Sequence, residues 1–156
     1  MNEKSYLFNP FNIKQIEDNE LAKIYEDVMK ELLDDPNSMY EYSHNIEVYS
    51  NLIYIVGEMI ARRECDVIKA KTKIEINKAK VIIQKRQKWN KEEQGKAPAM
   101  SYFEALGTEY CLKDINTLAE LESSLRRFKN AYSSMQEKIN ALKKKQESIK
   151  YEEFNQ

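Results

Sequence analysis

Apolar positions recur along this chain at alternating steps of three and four over two long stretches. From Ile46 the stripe runs through Tyr49, Ile53, Val56, Ile60, Arg63, Val67, Ala70, Ile74, Asn77 and Val81 to Gln84. From Leu118 it runs through Leu121, Leu125, Phe128, Tyr132, Met135, Ile139, Leu142 and Gln146 to Ile149. A helix of 3.6 residues per turn keeps such a stripe against one partner only by winding around it. The two seams are similar in length and separated by a short segment holding Gly95, Pro98 and Gly107. The pattern predicts an all-α fold whose centre is an antiparallel coiled-coil hairpin, with helices over about 43–89 and 110–151.

The remaining segments extend this outline. Ile13, Ile16, Leu21, Ile24, Val28 and Leu32 recur at helical spacing and predict an N-terminal helix that stops near Asp34-Asp35-Pro36, because the residue before a proline disfavours the helical region. Ahead of it, Ser5–Asn12 is apolar but interrupted by Pro10, which predicts an extended arm whose Tyr6, Leu7, Phe8 and Phe11 either bind a partner or another subunit or fold back on the hairpin. Ser43 or Asn45 is the expected N-cap of the first long helix. Residues 90–109 read as a connector with one short helix around Met100–Leu106. The chain thus divides into an arm and acidic helix over 1–38 and a hairpin over 39–156, within one domain.

Facing residues follow from aligning the seams end to end, which places residue i level with about 195−i. Arg63 then faces Tyr132, and Tyr49 faces Gln146. The a positions of the first seam are all β-branched, whereas its d positions include Arg63, Asn77 and Gln84. A parallel zipper prefers Leu at d, so the polar d set favours an antiparallel partner. Leu52, Ile55, Met59, Ile68, Ile76 and Ile82 fall outside the seam and would be exposed on a bare two-helix hairpin. The N-terminal helix covers some of them in this reading and self-association covers more, so a homo-oligomer is expected.

Composition narrows the function classes. No apolar run reaches the ~20 residues that span a bilayer, and the N-terminus lacks the basic-then-apolar order of a signal peptide. A cytoplasmic protein without membrane contact is expected. One histidine, His44, and two cysteines are too few for a structural zinc site. The 195−i register separates Cys65 from Cys111 by about 28 Å, beyond disulfide reach. Phosphate-binding, dinucleotide-binding, zinc-protease and nucleophile-elbow motifs are missing from the sequence. His44 beside Ser43 and Glu47 reads as an ordinary helix-start residue. A non-enzymatic protein without cofactor or metal is expected.

Charge gives the sharpest functional clue. The formal net charge is −1, yet it is segregated along the chain. Residues 1–60 hold four Lys against twelve Asp or Glu, a net of −8. Residues 62–91 hold eleven Lys or Arg against three acids, a net of +8. Within the basic stretch, Lys69, Lys71, Lys73, Lys78, Lys80, Lys85, Arg86 and Lys88 form a candidate rail for phosphates, to which Arg126, Arg127 and Lys129 contribute. Trp89, Tyr102 and Phe103 are candidate stacking surfaces for unpaired bases. The competing reading is structural. Lys71, Lys78 and Lys85 occupy e positions, and Lys73 and Lys80 occupy g. There they would pair with Asp114, Glu120 and Glu122 across the hairpin, while the aromatics pack the connector.

One resemblance adds to this. A helix start bearing Tyr40-Glu-Tyr-Ser43, a long basic helix, a short connector and a final heptad helix follow in order. The last carries Leu118-Ala-Glu-Leu121, Arg126-Arg-Phe-Lys-Asn-Ala-Tyr132 and Glu137-Lys-Ile-Asn-Ala-Leu142. Over about residues 40–150 this organisation resembles the helical-hairpin proteins of tailed phages, of the UvsY-like recombination-mediator type. The resemblance implies an oligomer that binds single-stranded DNA and helps load a strand-exchange recombinase, and it assigns no individual residue. The alternative is a helical protein-interaction module, a scaffold, adaptor or inhibitor, without nucleic-acid binding.

Overall fold

A computed structural model describes residues 13–92 and 97–154. The arm over Ser5–Asn12, and Gly95, lie outside the described residues. Four helices have described bounds: α1 (Asp18–Met29), α2 (Met39–Glu92), α3 (Met100–Tyr110) and α4 (Leu112–Phe154). The fold is all-α, and the long α2 and α4 pack against each other as the antiparallel hairpin that the seams predict.

The start of α2 differs from expectation. Ser38, and neither Ser43 nor Asn45, caps it. The Glu41 amide donates to Ser38 Oγ at 3.3 Å, while Glu41 Oε2 accepts from the amides of Asn37 (2.8 Å) and Ser38 (3.2 Å). This is a capping box, Ser-x-x-Glu, in which the two residues satisfy each other's orphan amides. The Asn37 amide, as the leading cause, holds the Glu41 carboxyl below its ordinary range. Ser43 Oγ instead donates to the Met39 carbonyl. Asn45 is buried and clasps the turn after α1, accepting from the Leu33 amide and donating to its carbonyl, both at 2.9 Å. His44 Nε2 lies 2.8 Å from the Glu31 carbonyl, which accepts its proton. His44 is thus a second clasp on that turn.

The chain forms two compact units, Met1–Arg62 with Arg126–Gln156, and Arg63–Leu125. The boundary cuts across both hairpin helices and does not separate the N-terminal helix from the hairpin. The reason is burial in the first unit. Leu21 and Val28 of α1 join Val48, Leu52, Ile55 and Val56 of α2 and Met135 of α4 in one core, with Ile24, Tyr25, Met59 and Phe128 around it. The apolar positions Leu52, Ile55 and Met59 are therefore covered by α1 within the same chain. Burying each such side chain contributes about 1.5–3 kcal/mol, which is what fixes α1 to the hairpin.

The hairpin register is displaced from the end-to-end alignment. A Cβ on Gly57 would lie 3.9 Å from the Tyr132 ring, so Tyr132 faces Gly57 in place of Arg63. Gln146 Nε2 donates to Ser43 Oγ at 2.7 Å and to the Met39 carbonyl at 3.3 Å, so Gln146 faces Ser43 in place of Tyr49. Both displacements run the same way by about one heptad. A seam of repeated β-branched residues is compatible with either offset. The observed offset is the one that carries the α1 core and the Gly57–Tyr132 contact.

The second unit holds the tip of the hairpin. There α3 packs on α2, with the Gly107 position approaching the Lys78 carbonyl and Ile82 side chain to 3.3 Å. Phe103 is buried and meets Tyr102 edge-on at 5.5 Å between ring centroids. Cys111 joins α3 to α4 and is buried, its Sγ 3.9 Å from the Ile74 carbonyl. Cys65 is exposed, and both cysteines are free thiols.

Candidate nucleic-acid interface

The basic side chains of α2 divide into distinct groups. Residues at e and g flank a heptad seam on opposite sides, so Lys71, Lys78 and Lys85 cannot share one edge with Lys73 and Lys80. Two of the five are tied down by acids across the hairpin, as the structural reading expected. Lys71 Nζ lies 2.8 Å from Glu122, and Lys73 Nζ lies 2.9 Å from Asp114. Each pair is more than a third exposed on its lysine side, so each stabilises the hairpin only modestly. Glu120 forms no such bridge. Lys88 pairs loosely with Glu92 along the same helix, at 3.6 Å.

Lys69, Lys78, Lys80, Lys85 and Arg86 have no acidic partner among the described residues. All are exposed except Lys78, which is half-buried where α3 packs. From Lys69 to Lys88 the helix carries eight basic residues and a single acid, Glu75. The unpaired members span about 25 Å of helix axis at 1.5 Å per residue. They too divide between flanks, Lys78 and Lys85 on the e side and Lys69 and Lys80 toward the g side. A strand lying along either flank therefore meets part of the set and has those phosphates neutralised without its bases being read.

Arg126, Arg127 and Lys129 lie on α4 in the first unit, and the basic residues of α2 from Lys69 onward lie in the second. The aromatic candidates also separate. Phe103 is buried in the packing of α3, which removes it as a stacking surface. Tyr102 is half-exposed, and Trp89 is partly covered with its indole N–H buried and unpaired. The connector-packing reading holds for Phe103.

Sequence reasoning named Ile68 and Ile76 on this surface but put Ile82 in the place of Ile83; Ile82 is partly buried where α3 packs. Ile68, Ile76 and Ile83 are 65%, 49% and 54% exposed, and Thr72 and Ala79 between them are also exposed. Their steps of four, four, three and four describe one outward-facing stripe that was available in the sequence. Ile68, Thr72 and Ile76 form one wall of a shallow groove of about 390 Å³ whose other wall is Lys69, Lys73 and Asn77.

A second cleft, of about 380 Å³, lies in the first unit between Ile13, Tyr54, Gly57 and Tyr132. Burial, then the neighbouring Glu58, pushes the Tyr54 hydroxyl above its ordinary range. Glu58 itself receives a hydrogen bond from Arg62 at 2.9 Å. These groups hold the N-terminal segment in place and set up no nucleophile and base. No helix of the described residues is long and apolar enough to cross a membrane.

No family model, curated protein or solved structure matches this chain.

Proposed function

We propose that the chain is a non-enzymatic accessory protein that binds single-stranded DNA as a homo-oligomer and acts like a recombination mediator. The observation carrying this reading is the α2 set Lys69, Lys78, Lys80, Lys85 and Arg86, basic side chains without acidic partners among the described residues. A stable hairpin does not require them, and they concentrate positive charge on one helix of a protein whose net charge is −1. Partners of the proposed assembly are a second copy, single-stranded DNA and a strand-exchange recombinase. The phage-type organisation of the helices supports the last of these.

A helical protein-interaction module is the second reading. The Lys71–Glu122 and Lys73–Asp114 pairs favour it, because they show part of the basic stretch serving the hairpin itself.

Fluorescence anisotropy with a labelled oligo-dT separates the two. Binding that is lost in the fourfold variant Lys78→Glu, Lys80→Glu, Lys85→Glu, Arg86→Glu, at unchanged helicity, supports DNA binding. Equal binding by the variant, or none by the wild type at about 50 mM salt, excludes it.

A further inference from the structure

The outward stripe of the second unit meets its complement elsewhere on the same molecule. Ile68, Ile76 and Ile83 project into solvent beside Lys69, Lys73, Lys80 and Arg86. Glu64, Asp66 and Glu75 are the acids nearby in sequence; Asp66 is engaged by Arg63 at 3.6 Å and Glu64 has a partner of its own. In the first unit, Met29 and Leu33 are each 40% exposed at the end of α1 and in the turn after it. Around them residues 26–35 carry five acids against Lys30 alone. Lys30 is bound to Asp27 at 2.8 Å, and Glu26, Asp34 and Asp35 are exposed.

One surface is apolar and basic, the other apolar and acidic, and each has hydrophobic side chains that water would otherwise cover. We infer that the α1 end of one copy, Met29 and Leu33 with Asp34 and Asp35, docks on the Ile68–Ile83 stripe of a second copy, its carboxylates meeting Lys69 and Lys80. This deepens the oligomer proposed above by naming its contact, and it rests on that part of the reading.

The alternative, stripe on stripe between two copies, sets largely basic surfaces against each other, which costs free energy. The acidic patch on the stripe removes that repulsion while covering the same isoleucines. The contact joins two different surfaces and is therefore heterologous. An open chain of copies keeps one free surface of each kind, at its two ends, until the assembly closes.

A charge-swap experiment by sedimentation equilibrium tests the contact without DNA. Wild type at about 50 mM salt is expected as a multiple of 18.5 kDa, shifting toward the monomer at about 500 mM. The double variants Asp34→Lys with Asp35→Lys, and Lys69→Glu with Lys80→Glu, should each be monomeric alone. Mixed in equal amounts they should reassemble, since each reversed surface now faces its opposite on the other variant. Ile68→Ser with Ile76→Ser should weaken assembly at every salt concentration. The inference is overturned if the wild type is monomeric at low salt, if either reversed variant assembles alone as wild type does, or if the mixture stays monomeric. DNA binding is read apart from assembly on Lys78→Glu with Lys85→Glu, which lie outside the docking contact. This variant should assemble as wild type does and lose oligo-dT binding by anisotropy, and unchanged binding would overturn the DNA reading while leaving the contact standing.

Discussion

Arg62 Nη1 lies 2.7 Å from Asp18 Oδ1, joining α2 to the first turn of α1 across 44 positions of sequence. The same guanidinium donates through Nη2 to the Ile13 carbonyl at 2.8 Å and through Nε to Glu58 at 2.9 Å. One side chain therefore fixes the entry of the N-terminal segment onto the hairpin. Arginine suits this role because its planar fork offers donors in several directions at once. Arg62→Met, which keeps the aliphatic stem but removes all three bonds, should destabilise the first unit by about 1–3 kcal/mol. Asp18→Asn should cost less, about 0–1 kcal/mol, since Asp18 is well exposed. Urea denaturation followed by circular dichroism measures both.

The first-unit core predicts a sharp contrast between isoleucines of α2. Ile55 is fully buried and Ile76 is half-exposed. Ile55→Ala should cost about 2–5 kcal/mol through lost burial and the cavity left behind. Ile76→Ala should change stability by no more than about 0.5 kcal/mol, and its measurable effect should be on self-association. Thermal melts of the two variants at low protein concentration separate the cases.

Two helical glycines should respond oppositely to alanine. At Gly57 a new Cβ would meet only the Tyr132 ring at 3.9 Å, an ordinary contact. Gly57→Ala should therefore stabilise by about 0.5–1 kcal/mol through reduced backbone entropy. At Gly107 the Cβ would press to 3.3 Å on the Lys78 carbonyl, which belongs to the α2 backbone and cannot step aside, and on Ile82. Gly107→Ala should forfeit that gain and lower stability, with Gly107→Leu worse still. Paired denaturation curves test the difference in sign.

The capping box predicts a pH dependence. Hydrogen bonds from Asn37 and Ser38 lower the folded-state pKa of Glu41 below its unfolded value. Its contribution is thus fully present above the unfolded glutamate pKa and is lost as pH falls through the folded value. Wild type should lose part of its thermal stability between about pH 5 and pH 3. Glu41→Gln should show a smaller loss over that window. Parallel slopes for the two proteins would exclude a capping role for this carboxylate.

Much of the fold was legible because heptad periodicity survives in the side-chain pattern. The a positions Val67, Ile74 and Val81 are buried, and the short connector helix starts at Met100 as predicted but runs on to Tyr110, past the predicted Leu106. Register was not legible. Repeated Ile and Val at a leave one-heptad offsets nearly equivalent, and the contacts present in the observed one, at Gly57–Tyr132 and Ser43–Gln146, are tertiary. The capping box was legible as Ser38-x-x-Glu41, but Ser43 and Asn45 are equally good cap formers in isolation. Their hydrogen bonds to Met39 and Leu33 show why propensity alone misassigned them. At the candidate interface, the sequence identified the basic residues and the acids Asp114 and Glu122 that quench two of them. It did not separate the e from the g flank into different surfaces. The exposed stripe through Thr72, Ala79 and Ile83 was obscured because its small and polar members hide the period.

The most direct test of the central claim is the salt dependence of oligo-dT affinity measured by fluorescence anisotropy. About two or three phosphates neutralised along one flank of α2, by Lys78 and Lys85 with or without Arg86, predict a log–log slope of about −1.4 to −2.1, at roughly −0.7 per contact on a single strand. The fourfold Lys78, Lys80, Lys85 and Arg86 reversal should remove most of that slope. Absence of binding at about 50 mM salt, or a wild-type slope matched by the reversed variant, would contradict the account.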